Sequence, residues 1–398
     1  MSVFPQELYD IIISLCDQRS LISCSLVCRT WVPSSRIRHF ANLRPLVISP
    51  ASLSQVLLLV DQHTSTISPY IRSLVLKDWA EGPSGSNSSS FYAVLPRITG
   101  RMVAVESLTF HATDWDEEEM AHGPLKFLVF NFKDTLKTLE LRDCSCRTFD
   151  SLVELACSFP ALENLSLHRL ARLDPRGVEA TDLLPPALRT IHAHGYIKKE
   201  LFRWFLATKC LDIEVVTIGP ILPGEAPVVG KFLRALKNNL RHITISGEST
   251  PNLHRTIDLK HNWQLSSIHF TNLMLYHHGS GGRASMNWFI HLLLTVRSSD
   301  VRSLRFSVCV HSKSAGTLDV IDWLALRTCL EKPKFVFLTF SMARHKEAVA
   351  GRWWDGYVDM AEKFVRERLP QYQDTGILCF DFEKDLITAD SDDESDSD

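Results

Sequence analysis

The chain has 398 residues, long enough to bury a sizeable hydrophobic core, and its 45% content of hydrophobic residues excludes general disorder. The formal net charge of −3 includes six acidic residues at positions 390–398, so the remainder is nearly neutral and does not indicate a nucleic-acid surface. No apolar run approaches the roughly 20 residues of a membrane span, and the first residues lack a signal-peptide pattern. The ten cysteines are therefore expected in a reducing compartment, the cytoplasm or the nucleus, as buried small side chains rather than disulfides.

The first forty residues predict two short amphipathic helices. Leu8, Ile11, Ile12 and Leu15 recur at helical spacing and form one apolar stripe. A polar segment follows, and Ser20 is predicted to cap the second helix. A block this small cannot close a hydrophobic core by itself, so its apolar face must meet either the rest of the chain or another protein.

This N-terminal block resembles an F-box, the adaptor-binding module of Skp–cullin–F-box ubiquitin ligases. Residues 4–8 read Phe-Pro-Gln-Glu-Leu, where the module opens with Leu-Pro-x-Glu-Leu, and residues 25–31 read Ser-Leu-Val-Cys-Arg-Thr-Trp, as in F-boxes of mushroom-forming fungi. The alternative is an ordinary helical hairpin. The resemblance implies a Skp-type adaptor as partner, and through it a cullin. The positions that match the family's adaptor-contacting or box-stabilising residues are Phe4, Pro5, Leu8, Ile12, Leu15, Leu21, Val27 and Trp31.

Beyond residue 50, short strand-like strings of the form L-x-x-L-x-L recur, and helical stretches such as 151–159 and 229–239 lie between them. A spacing of roughly 25 to 36 residues is close to the leucine-rich-repeat period, with longer insertions. We therefore predict an α/β fold, in which a helical F-box (residues 1–45) precedes an irregular leucine-rich-repeat-like α/β solenoid (residues 46–388). A doubly wound α/β domain is the alternative. The central residues of the strings are Leu74, Leu108, Leu139, Leu165, Ile191, Val216, Ile243, Ile268, Leu304 and Leu338.

Side chains alternate between the two faces of a strand, so the residues between the buried leucine-type positions are predicted to point outward. In a solenoid these positions together form an exposed binding surface. We interpret six of them, taken from matched positions of successive repeats, as candidates for binding a target protein: Glu140, Ser166, His192, Thr244, His269 and Arg305.

Motifs for catalysis or metal binding are weak. Cys24 and Cys28 lie four residues apart on an apolar helix, and Cys144 and Cys146 have no second pair at zinc-finger spacing. The acidic run 114–119 lacks the glycine and the ligand order of a calcium loop. No phosphate loop, nucleophile elbow or H-E-x-x-H motif is present. We therefore expect a protein that is not an enzyme and that needs neither a metal nor a cofactor.

The last fifty residues predict an end to the repeat array and a tail. Trp353, Trp354 and Tyr357 precede a helix that is predicted to run to about Leu369 and to cover the last repeat, the alternative being an aromatic patch that binds a partner. Residues 377–382 read as a final strand. Residues 389–398 form an acidic tail that cannot bury apolar surface and is expected to be disordered. Ser391 and Ser395 each have an acid three residues later, a pattern that suits acidophilic kinases.

These observations favour one function and leave one alternative. The resemblance implies a substrate-recognition subunit of a Skp–cullin–F-box type ubiquitin ligase, in which the F-box binds the adaptor and the repeats bind an unknown target protein. The alternative is an interaction scaffold of the repeat class that has no ligase role.

Overall fold

The computed structural model describes most of the chain, and the described residues form two compact units that meet in sequence between Leu188 and Arg189. No described helix is long and apolar enough to cross a membrane. The described ranges are 5–41, 45–61, 67–79, 95–113, 123–146, 148–171, 184–208, 211–246, 253–274, 287–310, 315–331, 336–344, 353–373 and 375–383.

The first unit begins with three short helices, α1 (Gln6–Leu15), α2 (Gln18–Val27) and α3 (Val32–Ala41). The α2 cap is Asp17, whose carboxylate accepts a 2.7 Å hydrogen bond from the backbone N–H of Ser20. The predicted cap, Ser20, is therefore wrong. Asp17 takes the role because a carboxylate one turn before this amide can accept its unpaired hydrogen.

The rest of the first unit alternates strands with helices. Its five described strands pair in chain order, and the pairings of β1 with β2, β2 with β3, β3 with β4 and β4 with β5 are all parallel. These elements are β1 (Leu46–Ile48), α4 (Leu53–Asp61), β2 (Ser73–Trp79), β3 (Ser107–Thr113), α5 (Pro124–Phe132), β4 (Thr138–Arg142), α6 (Phe149–Cys157) and β5 (Asn164–His168).

The second unit continues the same alternation, and its seven described strands also pair in parallel and in chain order. Its elements are β6 (Thr190–Ala193), α7 (Lys198–Ala207), β7 (Val215–Ile218), α8 (Ala226–Leu236), β8 (His242–Ser246), β9 (Ser267–Met274), α9 (Trp288–Leu294), β10 (Ser303–Val310), α10 (Trp323–Leu330), β11 (Phe337–Arg344), α11 (Trp353–Arg368) and β12 (Leu378–Glu383).

The strand register confirms the predicted repeat. Within the first unit the central residues pair directly, Leu74 with Leu108 and Leu139 with Leu165. The same holds in the second unit, up to Leu304 with Leu338. All ten predicted central residues are at most 1% exposed, because each faces the core beneath its strand. The α/β solenoid-like class predicted from the sequence is therefore confirmed. Strand β1, with three residues, was not predicted.

Aromatic side chains fill the core of the second unit. Phe270, Phe306, Phe340 and Phe380 come from successive strands β9 to β12, and neighbouring rings stack with centroids 5.1–6.2 Å apart. The predicted terminal helix and final strand are both present, as α11 and β12. Tyr357 of α11 is 1% exposed, so the helix contributes to the core as predicted.

Candidate protein-docking surfaces

Two consecutive helices of the first unit present apolar side chains to solvent. Leu15 and Leu26 are each 82% exposed, and the other members of the set are at least 43% exposed. Single exposed apolar residues are common on protein surfaces, but seven within 20 residues make this set a candidate interaction site. We call this set the α1–α2 face, and it consists of Leu8, Ile11, Ile12, Leu15, Ile22, Leu26 and Val27.

The opposite sides of these helices are packed within the block. Ile13 and Leu21 are each 1% exposed, and Cys24 is 9% exposed. Polar contacts hold the helices to α3, since Asp10 of α1 accepts a 2.5 Å hydrogen bond from the hydroxyl of Ser34. This bond, followed by one from Gln6, lowers the pKa of the Asp10 carboxyl. The helices that carry the α1–α2 face are therefore held in place by contacts of their opposite sides within the block.

The residues predicted to bind an adaptor divide into two groups. Leu8, Ile12 and Leu15 of the predicted stripe lie on the exposed face, together with Val27 of α2, and Pro5 is also exposed.

Leu21 is buried, and Trp31 is half-buried with its ring centroid 5.6 Å from that of Tyr9. These two residues pack within the block and do not belong to its exposed apolar face. Phe4 lies outside the described residues. Ile22 and Leu26 were not predicted as binding residues, although their four-residue spacing places both on one side of α2.

The outer face of the first-unit strands carries an acidic residue with several partners. Glu140 accepts a 3.2 Å hydrogen bond from the Thr109 hydroxyl, and its carboxylate lies 2.7 Å from Nε of Arg142 and 3.5 Å from Nε2 of His168. Ser166 pairs directly with Glu140 across the strands and is only 9% exposed. The expectation that Ser166 is accessible is therefore wrong, because its short side chain lies beside Glu140 and His168, whose longer side chains approach each other.

In the second unit, four of the predicted target-binding residues lie on the outer sides of their strands, and we call them the second-unit strand face. Adjacent strands bring Thr244 opposite His269 and His269 opposite Arg305. His192 lies in the same row, opposite Thr217 of β7, which in turn pairs with Thr244. None of the four is fully exposed.

Hydrogen bonds order part of the second-unit strand face. His269 Nε2 lies 2.8 Å from the Ser307 hydroxyl oxygen. The guanidinium of Arg305 donates to the Ser341 hydroxyl at 3.2 Å and to the Asp381 carboxylate at 3.0 Å. A partner that binds here would therefore meet a preorganised polar surface.

Burial, followed by the positive charge of Arg305, lowers the pKa of His269 to about 4. The His269 imidazole is therefore neutral at physiological pH and offers a partner hydrogen-bonding groups rather than a positive charge. The only full positive charge among the four residues of the second-unit strand face is the guanidinium of Arg305.

This pKa shift predicts acid sensitivity. The unfolded chain binds a proton at His269 near pH 6.5, whereas the folded chain binds it only near pH 4, so acidification between these values favours unfolding. Because the side chain retains some solvent exposure, we expect the wild type to lose about 2 kcal/mol more stability than His269→Gln between pH 7 and pH 4. Urea denaturation at several pH values measures the difference.

The control for this experiment is His261→Gln, which changes an exposed histidine of the same unit. It should keep the pH dependence of the wild type. If His269→Gln also kept that dependence, the imidazole would not be the group that acid protonates on unfolding.

Within the described parts of the chain, no cluster of three or more His, Cys, Asp or Glu side chains could hold a metal ion. Cys144 and Cys146 are buried, and both are free thiols. The acidic run 114–119 and the tail serines Ser391 and Ser395 lie outside the described residues.

Comparison with known proteins yields likenesses among solved structures and none among sequences. No family model matches the chain, and no curated protein matches it. The chain is similar to one in the crystal structure of the yeast Rad7 and Elc1 complex, with 12% sequence identity, a TM-score of 0.39 and 91% of each chain covered. The function of this chain must therefore be inferred from its own residues and surfaces.

Proposed function

We propose that this chain is a substrate-recognition subunit of a Skp–cullin–F-box type ubiquitin ligase, acting in the cytoplasm or the nucleus. The observation that carries the proposal is the α1–α2 face, which is apolar, exposed and located on the segment whose sequence resembles an F-box. A Skp-type adaptor would cover this face and connect the chain to a cullin.

The size of the face suits a stable complex. Burying one leucine-sized side chain contributes roughly 1.5–3 kcal/mol. The face offers seven side chains of this kind, each already partly buried, so the gain from covering them is of the same order as what association costs in lost freedom of motion. Leu15 and Leu26 have the most area left to bury, so they are expected to lie at the centre of the interface.

The repeats would bind the target protein. Glu140 of the first unit and the second-unit strand face supply polar side chains held in place by neighbouring strands, as a recognition surface requires. The mechanism is proximity: the receptor raises the effective concentration of a target lysine near a ubiquitin-conjugating enzyme. The chain itself makes and breaks no covalent bond in this scheme.

A non-degradative interaction scaffold is the second candidate, since an exposed apolar face and a repeat surface would also serve that role. The two functions differ in what accompanies the adaptor. A ligase receptor recruits a cullin and promotes ubiquitin transfer to its target, whereas a scaffold does neither. Reconstitution with purified adaptor, cullin and a candidate target, followed by detection of ubiquitin conjugates, separates them.

The first test is the double substitution Leu8→Ala with Ile12→Ala. Both side chains are more than 40% exposed and lie on one side of α1, so their removal should leave the fold intact and weaken binding to a purified Skp-type adaptor at least about tenfold. Isothermal titration calorimetry with the full chain measures the affinity, and circular dichroism checks the fold.

A matched control is Leu58→Ala with Leu59→Ala, which removes two exposed leucines from α4 of the same unit. This variant should bind the adaptor like the wild type. Equal adaptor affinity for the wild type and the α1 variant would contradict the proposal, as would an equal loss in both double variants.

A further inference from the structure

Two thiols meet behind the α1–α2 face. Cys16 caps the C-terminus of α1 with an extended backbone, and Cys24 lies in α2. Their sulfur atoms are 3.7 Å apart, and both are free thiols. We propose that Cys16 and Cys24 form a reversible redox modification site, which closes to a disulfide under a peroxide oxidant and opens again under a thiol reductant.

The geometry allows the bond with a small movement. A disulfide has a sulfur–sulfur distance of about 2.05 Å, so the two atoms must approach by about 1.7 Å from their 3.7 Å contact. Cys16 lies just outside the helical segment, in the short connection between α1 and α2, where backbone angles adjust at lower cost than within a helix. Cys24 can therefore remain packed in the block while Cys16 moves towards it.

The chemistry balances with hydrogen peroxide as the oxidant. The Cys16 thiolate attacks one peroxide oxygen, the O–O bond breaks, and the products are a Cys16 sulfenic acid and a hydroxide that takes up a proton to become water. The Cys24 thiolate then attacks the Cys16 sulfur, the S–O bond breaks, and a second water leaves. Two thiols lose two hydrogens and two electrons, and the peroxide is reduced to two waters.

The order of attack follows from the surroundings of the two thiols. Cys16 is half-buried and can meet the oxidant, whereas Cys24 is 9% exposed. Burial, and then the neighbouring Cys16 thiol, raise the pKa of the Cys24 thiol. Because the thiolate is the attacking species, closure of the disulfide should become faster as the pH rises.

Cys28 is the competing thiol in the block. Its side chain is exposed, and a 2.9 Å contact with the Thr30 hydroxyl lowers the pKa of the Cys28 thiol. Peroxide should therefore react readily with Cys28 as well. The substitution Cys28→Ser removes this competitor and leaves the contact between Cys16 and Cys24 in place.

The bond has a consequence for docking, and this consequence alone rests on the proposed function. Leu15, the most exposed residue of α1, is bonded directly to Cys16, and Cys24 lies between Ile22 and Leu26 along α2. Closing the disulfide draws the end of α1 towards α2 and changes the spacing of these side chains. We expect the oxidised form to bind the adaptor at least about fivefold more weakly than the reduced form.

Tryptic mapping tests the site directly. Trypsin cleaves after Arg19 and Arg29, which separates Cys16 in peptide 1–19 from Cys24 in peptide 20–29. The full chain with Cys28→Ser is reduced, exposed to hydrogen peroxide, alkylated and digested. The expected product is a linked pair of these peptides, lighter than their sum by two hydrogens, which separates on treatment with dithiothreitol. The variant Cys16→Ser with Cys28→Ser should give no such pair.

The possible outcomes distinguish the redox site, its effect on docking and the proposed function. If both peptides are recovered unlinked, or if oxidised wild type carries only a bond between Cys24 and Cys28 within peptide 20–29, the site is overturned. A linked pair with unchanged adaptor affinity overturns the docking consequence. A linked pair from a chain that binds the adaptor in neither redox state supports the redox site and contradicts the proposed function.

Discussion

Lys198→Met is expected to destabilise the second unit by about 3–5 kcal/mol, because it leaves a buried carboxylate without its counter-charge. Lys198 is 1% exposed and Glu225 is 5% exposed, and the ammonium nitrogen of Lys198 lies 3.3 Å from Glu225 Oε2. Burial lowers the pKa of Lys198, and the charge of Glu225 acts against this shift. Without the lysine, no opposite charge offsets the desolvation of the buried Glu225 carboxylate.

The surrounding backbone completes this pair. The Lys198 ammonium donates to the carbonyl of Gly195, and Glu225 accepts a 2.9 Å hydrogen bond from the backbone N–H of Leu222. The pair thus ties the turn before α7 to the turn before α8. Methionine has nearly the length of lysine, so Lys198→Met removes the charge and the hydrogen bonds with little change in packing volume.

Chemical denaturation of the full chain measures this effect. The control is the double variant Lys198→Met with Glu225→Leu, which removes both charges and should recover a large part of the lost stability, since an apolar pair of similar volume often replaces a buried ion pair without cost. If the single variant were as stable as the wild type, the two charges would not be buried together as described. A double variant less stable than the single one would contradict the electrostatic explanation.

Gly230→Ala is expected to destabilise the second unit by about 1–3 kcal/mol, although alanine favours a helix more than glycine does. Gly230 lies within α8, where a Cβ atom would come 2.2 Å from the backbone carbonyl oxygen of Thr256. A carbonyl oxygen in the backbone cannot rotate away as a side chain can. Either α8 or the segment that contains Thr256 must shift, and close packing between them is lost.

Gly356→Ala is the matched control for this substitution. Gly356 also lies within a helix, α11, but no atom would lie within 4 Å of an added Cβ. Alanine should therefore stabilise the unit there by about 0.5–1 kcal/mol through helix propensity alone. The two glycine substitutions are thus expected to have opposite signs in the same denaturation experiment. Stabilisation by both would show that α8 does not approach Thr256 closely.

The repeat architecture could be predicted from the sequence because its signal is local. A strand buries alternate residues, and a leucine-type residue at the central position of each string indicates which residues face the core. Leu139 and Leu304 illustrate this, since each was assigned to the core from its own string and each is fully buried. The terminal helix α11 was equally predictable from its aromatic start and its distance from the last repeat.

Features that depend on residues far apart in the chain could not be predicted in this way. Ser166 occupies an outward position, yet its burial depends on Glu140, which is 26 residues earlier. The ion pair of Lys198 with Glu225 joins turns 27 residues apart, and neither residue stands out in the sequence. The contact of Cys16 with Cys24 also requires the bend between α1 and α2, which spacing alone does not specify.

The α1–α2 face illustrates which features follow from the sequence and which require the structure. Local spacing predicted the apolar stripe of α1, because residues such as Leu8, Ile11 and Leu15 recur at helical intervals. It left open whether the stripe meets the rest of the chain or another protein. The structure shows that Ile13 is the one described residue of α1 that is buried, and that the described residues leave the stripe exposed. The cause is that the helices can bury only one side of α1 against their small shared core, which leaves its remaining apolar surface exposed.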